Sequence, residues 1–232
     1  MEQIKSFLDI ITGPTILVIA ALEVVLFVLL LRRFIKAKSL ISLFAGLIAI
    51  GLAYDALIIG LGMWANAKNM LFLSRLRFVF HGLLTPLLFA ISARSYKLSK
   101  PLVITLFSIM GALMLFGVIE GSLNVLTEST TANISRLAID KEATPKILYQ
   151  GSTMVNIISI IPVIVIGIIA WVKQKNCHLA LAGIFMFVLS AIGPTIGLTE
   201  YIFFISMIGE ILMIGFILLY DIKKDKLEAT NN

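Results

Sequence analysis

Polar and ionisable side chains lie along one face of an otherwise apolar stretch, residues 70–93. A helix over this stretch places four of them in a single stripe: Ser74, Arg77, His81 and Thr85. Lipid cannot cover that stripe, because a guanidinium group at the centre of a membrane helix costs at least ~2.5 kcal/mol. Other helices must therefore supply counter-charges to Arg77.

Carboxyl groups on three other apolar stretches can supply that charge at one depth. Glu23, Asp55 and Glu210 each lie about nine residues from one end of a predicted span, which is ~10 to 16 Å at the rise of an α-helix. One arginine cannot neutralise three carboxylates, so at least one acid must be protonated, hydrated or bound to another group. We therefore predict a hydrated pocket that opens outward and is lined by Glu23, Tyr54, Asp55, Arg77, His81 and Glu210. The alternative is that Arg77 simply pairs with Asp55 or Glu210 to fix helix packing.

Composition indicates that these residues belong to a membrane protein. Of the 232 residues, 59% are hydrophobic and only 14% are charged, and the mean hydropathy is +1.04. The basic residues form short clusters between apolar runs, so nucleic acid is not indicated as a partner. One cysteine, Cys177, excludes an internal disulfide, and two histidines are too few for a histidine-rich metal centre.

Seven apolar runs are long enough to cross a ~30 Å hydrocarbon core as helices. They predict an all-α membrane protein with one domain, residues 1–232, and spans at 14–31, 40–64, 70–93, 101–120, 154–172, 179–196 and 201–220. The long polar segment between the fourth and fifth spans, residues 121–152, is predicted to be a loop. It contains the sequon Asn133-Ile134-Ser135, which matters only if the source glycosylates proteins.

The lysines and arginines predict the orientation. Twelve of the nineteen lie in the segments on the side of the carboxyl terminus, and five lie on the opposite side. The more basic side faces the cytoplasm in membrane proteins. We therefore place the amino terminus and the 121–152 loop outside and the carboxyl terminus inside, in the plasma membrane. Arg75 is predicted to extend toward the interface, and Glu120 and Glu200 are predicted to be solvated near it.

Three short patches resemble the microbial rhodopsins: the run 77–88 (RFVFHGLLTPLL), Tyr54, and the run 215–219 (GFILL). The first is similar to that family's arginine, counter-ion carboxylate and Thr-Pro-Leu. When the Thr-Pro pairs are aligned, however, Phe80 occupies the position of the family's proton-accepting carboxylate. The resemblance implies a rhodopsin-like bundle in which spans two, three and seven are neighbours. The seventh span contains no lysine, so covalent retinal is excluded, because a protonated Schiff base needs an amine. No other cofactor is predicted.

Three hypotheses for the function follow. The first is a seven-helix sensor or receptor-like protein, not a retinal photoreceptor, whose pocket binds a small ligand or ions. The second is a proton- or ion-coupled transporter, because a proton relay requires carboxylates and histidine at membrane depth. The third is a structural or assembly subunit that contacts a protein partner through residues 121–152. No recognisable catalytic set points to an enzyme.

Overall fold

The computed structural model describes residues 2–231, which form helices and one β-hairpin. In chain order the helices are α1 (Glu2–Ala37), α2 (Leu40–Leu61), α3 (Leu71–Leu84), α4 (Leu87–Ser95), α5 (Lys100–Leu123), α6 (Lys146–Gln174), α7 (His178–Thr195) and α8 (Ile202–Asn231). The hairpin consists of β1 (Leu126–Thr131) and β2 (Ile134–Ile139), and short 3₁₀ turns precede α3 and α8. The predicted helical fold class is confirmed.

Six helical segments are long and apolar enough to cross a membrane. They are Gln3–Ala37, Leu40–Leu61, Ala67–Ser95, Lys100–Leu123, Lys146–Gln174 and Thr199–Leu227. The predicted sixth span, 179–196, forms the shorter apolar helix α7. The six long segments indicate an integral membrane protein.

The predicted third span is divided into α3 and α4 at Thr85 and Pro86. Proline has no amide hydrogen, and its ring clashes with the carbonyl of the preceding turn, so the α-helical ladder is interrupted. The Thr85 hydroxyl donates to the His81 carbonyl at 2.7 Å, and the backbone continues through a 3₁₀-type bond from Leu88 to Thr85. The two helices together cover one predicted crossing.

The prediction that residues 121–152 form a loop is wrong. Helix α5 continues to Leu123, α6 begins at Lys146, and the hairpin occupies most of the segment between them. The strands pair antiparallel from Leu126 opposite Ile139 to Thr131 opposite Ile134. Ala132 and Asn133, with φ of 54° and 59°, form the two-residue turn. We call the end of the bundle that carries this hairpin the hairpin end, and the opposite end the C-terminal end.

The apolar core has two main clusters, one toward each end of the bundle. The cluster toward the C-terminal end includes Leu30, Ile91, Val163, Ile214 and Tyr220. The cluster toward the hairpin end includes Ile16, Ile59, Phe204, Met207 and, from β2, Ile134. Because Ile134 is fully buried there, the hairpin is part of the folded bundle.

A network of hydrogen bonds joins the helices at the C-terminal end. The buried carboxylate of Asp221 on α8 accepts from Arg33 at 2.5 Å, Ser39 at 2.8 Å and Ser42 at 2.6 Å. The hydroxyl of the neighbouring Tyr220 donates to the Ser95 carbonyl at 2.5 Å. These bonds connect α8 to α1, α2 and α4.

Candidate functional site

Asp55 on α2 and Arg77 on α3 form an ion pair inside the bundle. Arg77 Nε lies 3.1 Å from Asp55 Oδ1, and the two side chains are 5% and 16% exposed. A second nitrogen, Arg77 Nη2, donates to the backbone carbonyl of Leu137 on β2 at 2.9 Å. The guanidinium therefore joins α2, α3 and the hairpin. The predicted contact between the second and third spans exists at these residues.

A second guanidinium, that of Arg136 on β2, lies near this pair. Its central carbon is 4.1 Å from the centre of the Phe203 ring on α8, and its Nε is buried without a hydrogen-bond partner among the described residues. Burial lowers the pKa of Arg136 to about 10, and the Arg77 charge lowers it too, whereas Asp55 raises it. The group is therefore charged at neutral pH. Arg136 lies in the segment predicted to be an outer loop, and it was not among the predicted site residues.

The other two predicted acids are also buried, but they are placed differently. Glu23 on α1 has no exposed surface, and neither carboxyl oxygen has a partner among the described residues. Glu210 on α8 is 6% exposed and faces a cavity. Both lie within electrostatic range of Asp55. Three carboxyl groups thus share a layer with two guanidinium groups, so full ionisation would leave one negative charge uncompensated.

Tyr54 lies beside this layer and serves the contact between α2 and α3. Its hydroxyl donates to the Leu73 carbonyl at 2.9 Å, and its ring meets Phe80 edge-on with the ring centres 5.4 Å apart. It does not line the cavity. The structure therefore assigns Tyr54 to helix packing.

One prediction about the hairpin end, that for Glu120, needs correction. Glu120, predicted to be solvated, is 4% exposed and accepts a hydrogen bond from the Asn124 side chain. It is buried because α5 continues past the apolar run and packs at this position. Arg75, predicted to extend toward the interface, donates to the backbone carbonyl of Asn124 at the end of α5. Glu200 is partly exposed, as predicted, and pairs with Lys5 at 2.6 Å.

A cavity of about 510 Å³ lies among α2, α3, α4, α6, α7 and α8. Apolar side chains form most of its wall, including Leu52, Leu88, Ile160, Phe187, Phe203 and Met213. The polar groups that face it are His81, Thr85, Ser152, Thr153, Asn156, Ser190, Ser206 and Glu210. An apolar wall with a few convergent polar groups is typical of sites for small molecules. Among the described residues, no group of three or more metal-ligating side chains could hold a metal ion.

The predicted site residues therefore divide into two neighbouring groups. His81 and Glu210 line the cavity, whereas Asp55 and Arg77 form the ion pair beside it, and Glu23 is buried apart from its wall. Phe203 connects the groups, because one side of it lines the cavity and the Arg136 guanidinium lies over its ring.

Of the residues that the site prediction missed, Asn156 and Arg136 were missed for different reasons. Asn156 on α6 lies within an apolar run and could have been recognised as a polar residue at membrane depth. For Arg136 the available signal was local: two short runs rich in β-branched residues, 126–131 and 134–139, flank a two-residue turn, which is a hairpin pattern. No protein-family model matches this chain, and no curated protein matches it.

Proposed function

We propose that this protein is a seven-helix membrane sensor or receptor-like protein that binds a small ligand in the cavity beside Glu210 and His81. The observation that carries the proposal is the cavity itself. Its volume of about 510 Å³ lies in the range of sites for small organic molecules. A buried carboxyl group in a largely apolar wall gives such a site one strong polar anchor.

The topology belongs to this proposal. Helix α7 has 18 residues, which span ~27 Å at the rise of an α-helix, so we count it as a further crossing, which brings the total to seven. The basic residues favour an outer hairpin end and an inner C-terminal end in the plasma membrane. A rhodopsin-like order is supported by the packing of α2 against both α3 and α8, and by the Asp55–Arg77 pair.

The ligand chemistry follows from the polar groups of the cavity. Glu210 can accept hydrogen bonds from an amine or hydroxyl head, and His81 and Ser206 provide further donors and acceptors. A bare inorganic ion would leave most of the apolar wall unfilled. We therefore assign the site to a small organic molecule with an apolar body.

A thermal-shift screen of the purified protein with small amines, alcohols and carboxylic acids tests the proposal. We expect amines and alcohols to raise the melting temperature. In the Glu210→Gln variant, the same shift should require a ligand concentration about tenfold or more higher. The matched control is Glu200→Gln, because Glu200 is partly exposed and pairs with Lys5 outside the cavity. If no compound shifts melting, or both variants respond like the wild type, the proposal fails.

Proton-coupled transport is the second candidate, because Glu23 is fully buried, neither of its carboxyl oxygens has a hydrogen-bond partner among the described residues, and the layer has more acids than guanidinium groups. The largely apolar cluster toward the C-terminal end opposes it, since a proton path would have to cross that region. Proton flux into liposomes should then depend on Glu23 and Glu210. Equal flux for the wild type and both glutamine variants, or none in any, would exclude transport.

A further inference from the structure

Among the described residues, exposed side chains line the cavity on two helices. The lining residues on α2, α3, α4 and α8, and Thr85 between α3 and α4, are buried or half-buried. On α6 and α7, by contrast, Ile157 and Phe187 are 40% and 47% exposed, and Thr153 and Ala191 are exposed as well. The cavity therefore opens sideways, between α6 and α7.

The packing of α7 explains this opening. Toward the C-terminal end, α6 and α7 touch through glycine: a Cβ on Gly167 would lie 2.4 Å from the backbone nitrogen of Ala180. Toward the hairpin end, α7 packs closely on α8 instead, and a Cβ on Gly209 would lie 3.4 Å from the Cα of Met186. The close glycine contact of α7 with α6 thus lies toward the C-terminal end, whereas the exposed lining residues Ile157 and Phe187 mark a gap between the two helices.

Both ends of the bundle are covered near the cavity. At the hairpin end, Arg136 lies over Phe203, and Ile134 is buried in the core. At the C-terminal end, the Tyr220 hydroxyl bonds the Ser95 carbonyl at 2.5 Å, and the Asn176 side chain bonds the Tyr220 carbonyl at 3.1 Å. The gap between α6 and α7 is therefore the exposed part of the wall.

The surface around this gap is apolar. Ile158 and Ile161 on α6 are 38% and 48% exposed, and Val188 and Ile192 on α7 are 45% and 37% exposed. Neighbouring exposed aliphatic side chains on membrane helices face lipid. An opening within such a surface leads to the hydrocarbon region of the bilayer.

We infer that the cavity is loaded from the bilayer through the gap between α6 and α7, and that its ligand is a lipid-soluble amphiphile. This inference rests on the proposed function. The ligand would place one basic or hydroxyl head against Glu210 and His81, and its apolar chain would extend past Ile157 and Phe187. A water-soluble ligand without an apolar chain would leave that part of the wall uncovered.

Variants at the rim of the gap test the route. The probe is dodecylamine that carries a dansyl group at the far end of its chain, so that the amine stays free. It is delivered from phosphatidylcholine vesicles to the protein in nanodiscs and followed by fluorescence. Ile157→Trp and Ala191→Trp narrow the gap and should slow both uptake and release about tenfold. The matched controls are Ile158→Trp and Ile192→Trp, which change exposed neighbours that do not line the cavity. If a rim variant does not fold, Phe187→Ala widens the gap and should speed uptake.

A series of n-alkylamines from butylamine to dodecylamine tests the ligand class. We expect affinity, referred to the free amine concentration in water, to rise with chain length until the cavity is full, by a factor of about three to four for each methylene group. If butylamine binds as tightly as dodecylamine, or if all rim variants load at the wild-type rate, the inference fails while the proposed function stands. If neither amines nor alcohols bind at all, the proposed function itself is wrong.

Discussion

Arg77 on α3 donates a hydrogen bond of 2.9 Å to the backbone carbonyl of Leu137 on β2. The same guanidinium pairs with Asp55, so the charged layer of the bundle and the hairpin share one side chain. The hairpin is thereby fixed over the charged layer. Substitutions in that layer should consequently change the stability of the hairpin.

The first prediction concerns the Asp55–Arg77 pair. Asp55→Asn leaves the Arg77 guanidinium buried without its counter-charge, and Arg77→Gln leaves the carboxylate unpaired, so each should lower the free energy of unfolding by about 3–5 kcal/mol. Equilibrium unfolding in mixed detergent would measure this. The double variant should lose clearly less than the sum of the two single losses.

Arg75→Gln is the control for this pair. Arg75 is half-buried on the same helix and bonds a backbone carbonyl of α5, so its loss should cost only about 1 kcal/mol. Amide hydrogen exchange should show faster exchange in residues 134–139 for Arg77→Gln than for Arg75→Gln. Equal exchange in the two variants would contradict the role given to Arg77 at the hairpin.

The second prediction concerns Arg136. Its lowered pKa means that burial outweighs the attraction of Asp55, so the guanidinium charge itself opposes folding. Arg136→Met keeps the packing on Phe203 without the charge, and it should leave the free energy of unfolding unchanged or raise it by about 1 kcal/mol. Arg136→Glu should destabilise the protein, because it adds a fourth acid to the layer. A marked loss of stability in the methionine variant would show that the charge is needed.

The sequence predicted the charged layer better than it predicted the hairpin that lies over this layer. Burying Arg77 requires a counter-charge, and few acids lie at membrane depth, so Asp55 and Glu210 could be named from spacing alone. A local pattern indicates the hairpin strands, but their place over the layer depends on the burial of Ile134 among helices distant in sequence, which that pattern does not report. The cavity could not be predicted for the same reason: it depends on how α6, α7 and α8 pack against one another.

The third prediction concerns the contact between α6 and α7. Gly167→Ala would place a methyl group 2.4 Å from the backbone nitrogen of Ala180, so the helices must separate. Overpacking of this kind should lower the free energy of unfolding by about 1–3 kcal/mol. Gly111→Ala on α5 is the control, since nothing lies within 4 Å of its added Cβ. It should stabilise the protein by about 0.5–1 kcal/mol through helix propensity, and thermal unfolding of both variants would measure the contrast.

The fourth prediction concerns the C-terminal end, where Arg33 binds two aspartates of different exposure. Asp221 is 2% exposed at its side chain and lies 2.5 Å from Arg33, whereas Asp225 is 46% exposed and lies 2.7 Å from it. Asp221 also accepts hydrogen bonds from Ser39 and Ser42. Asp221→Asn should therefore lower the free energy of unfolding by about 3 kcal/mol, because it leaves a half-buried guanidinium and two hydroxyl groups poorly paired.

Asp225→Asn is the matched control for Asp221, because it removes the same charge from the same arginine at an exposed position. Solvent screens that pair, so the variant should lose less than about 1 kcal/mol. High salt should reduce the effect of the Asp225 variant further and should change that of the Asp221 variant little. Similar losses for the two variants, or an equal response to salt, would mean that the burial of Asp221 contributes nothing to stability. Apolar packing alone would then hold α1, α2 and α8 together at this end.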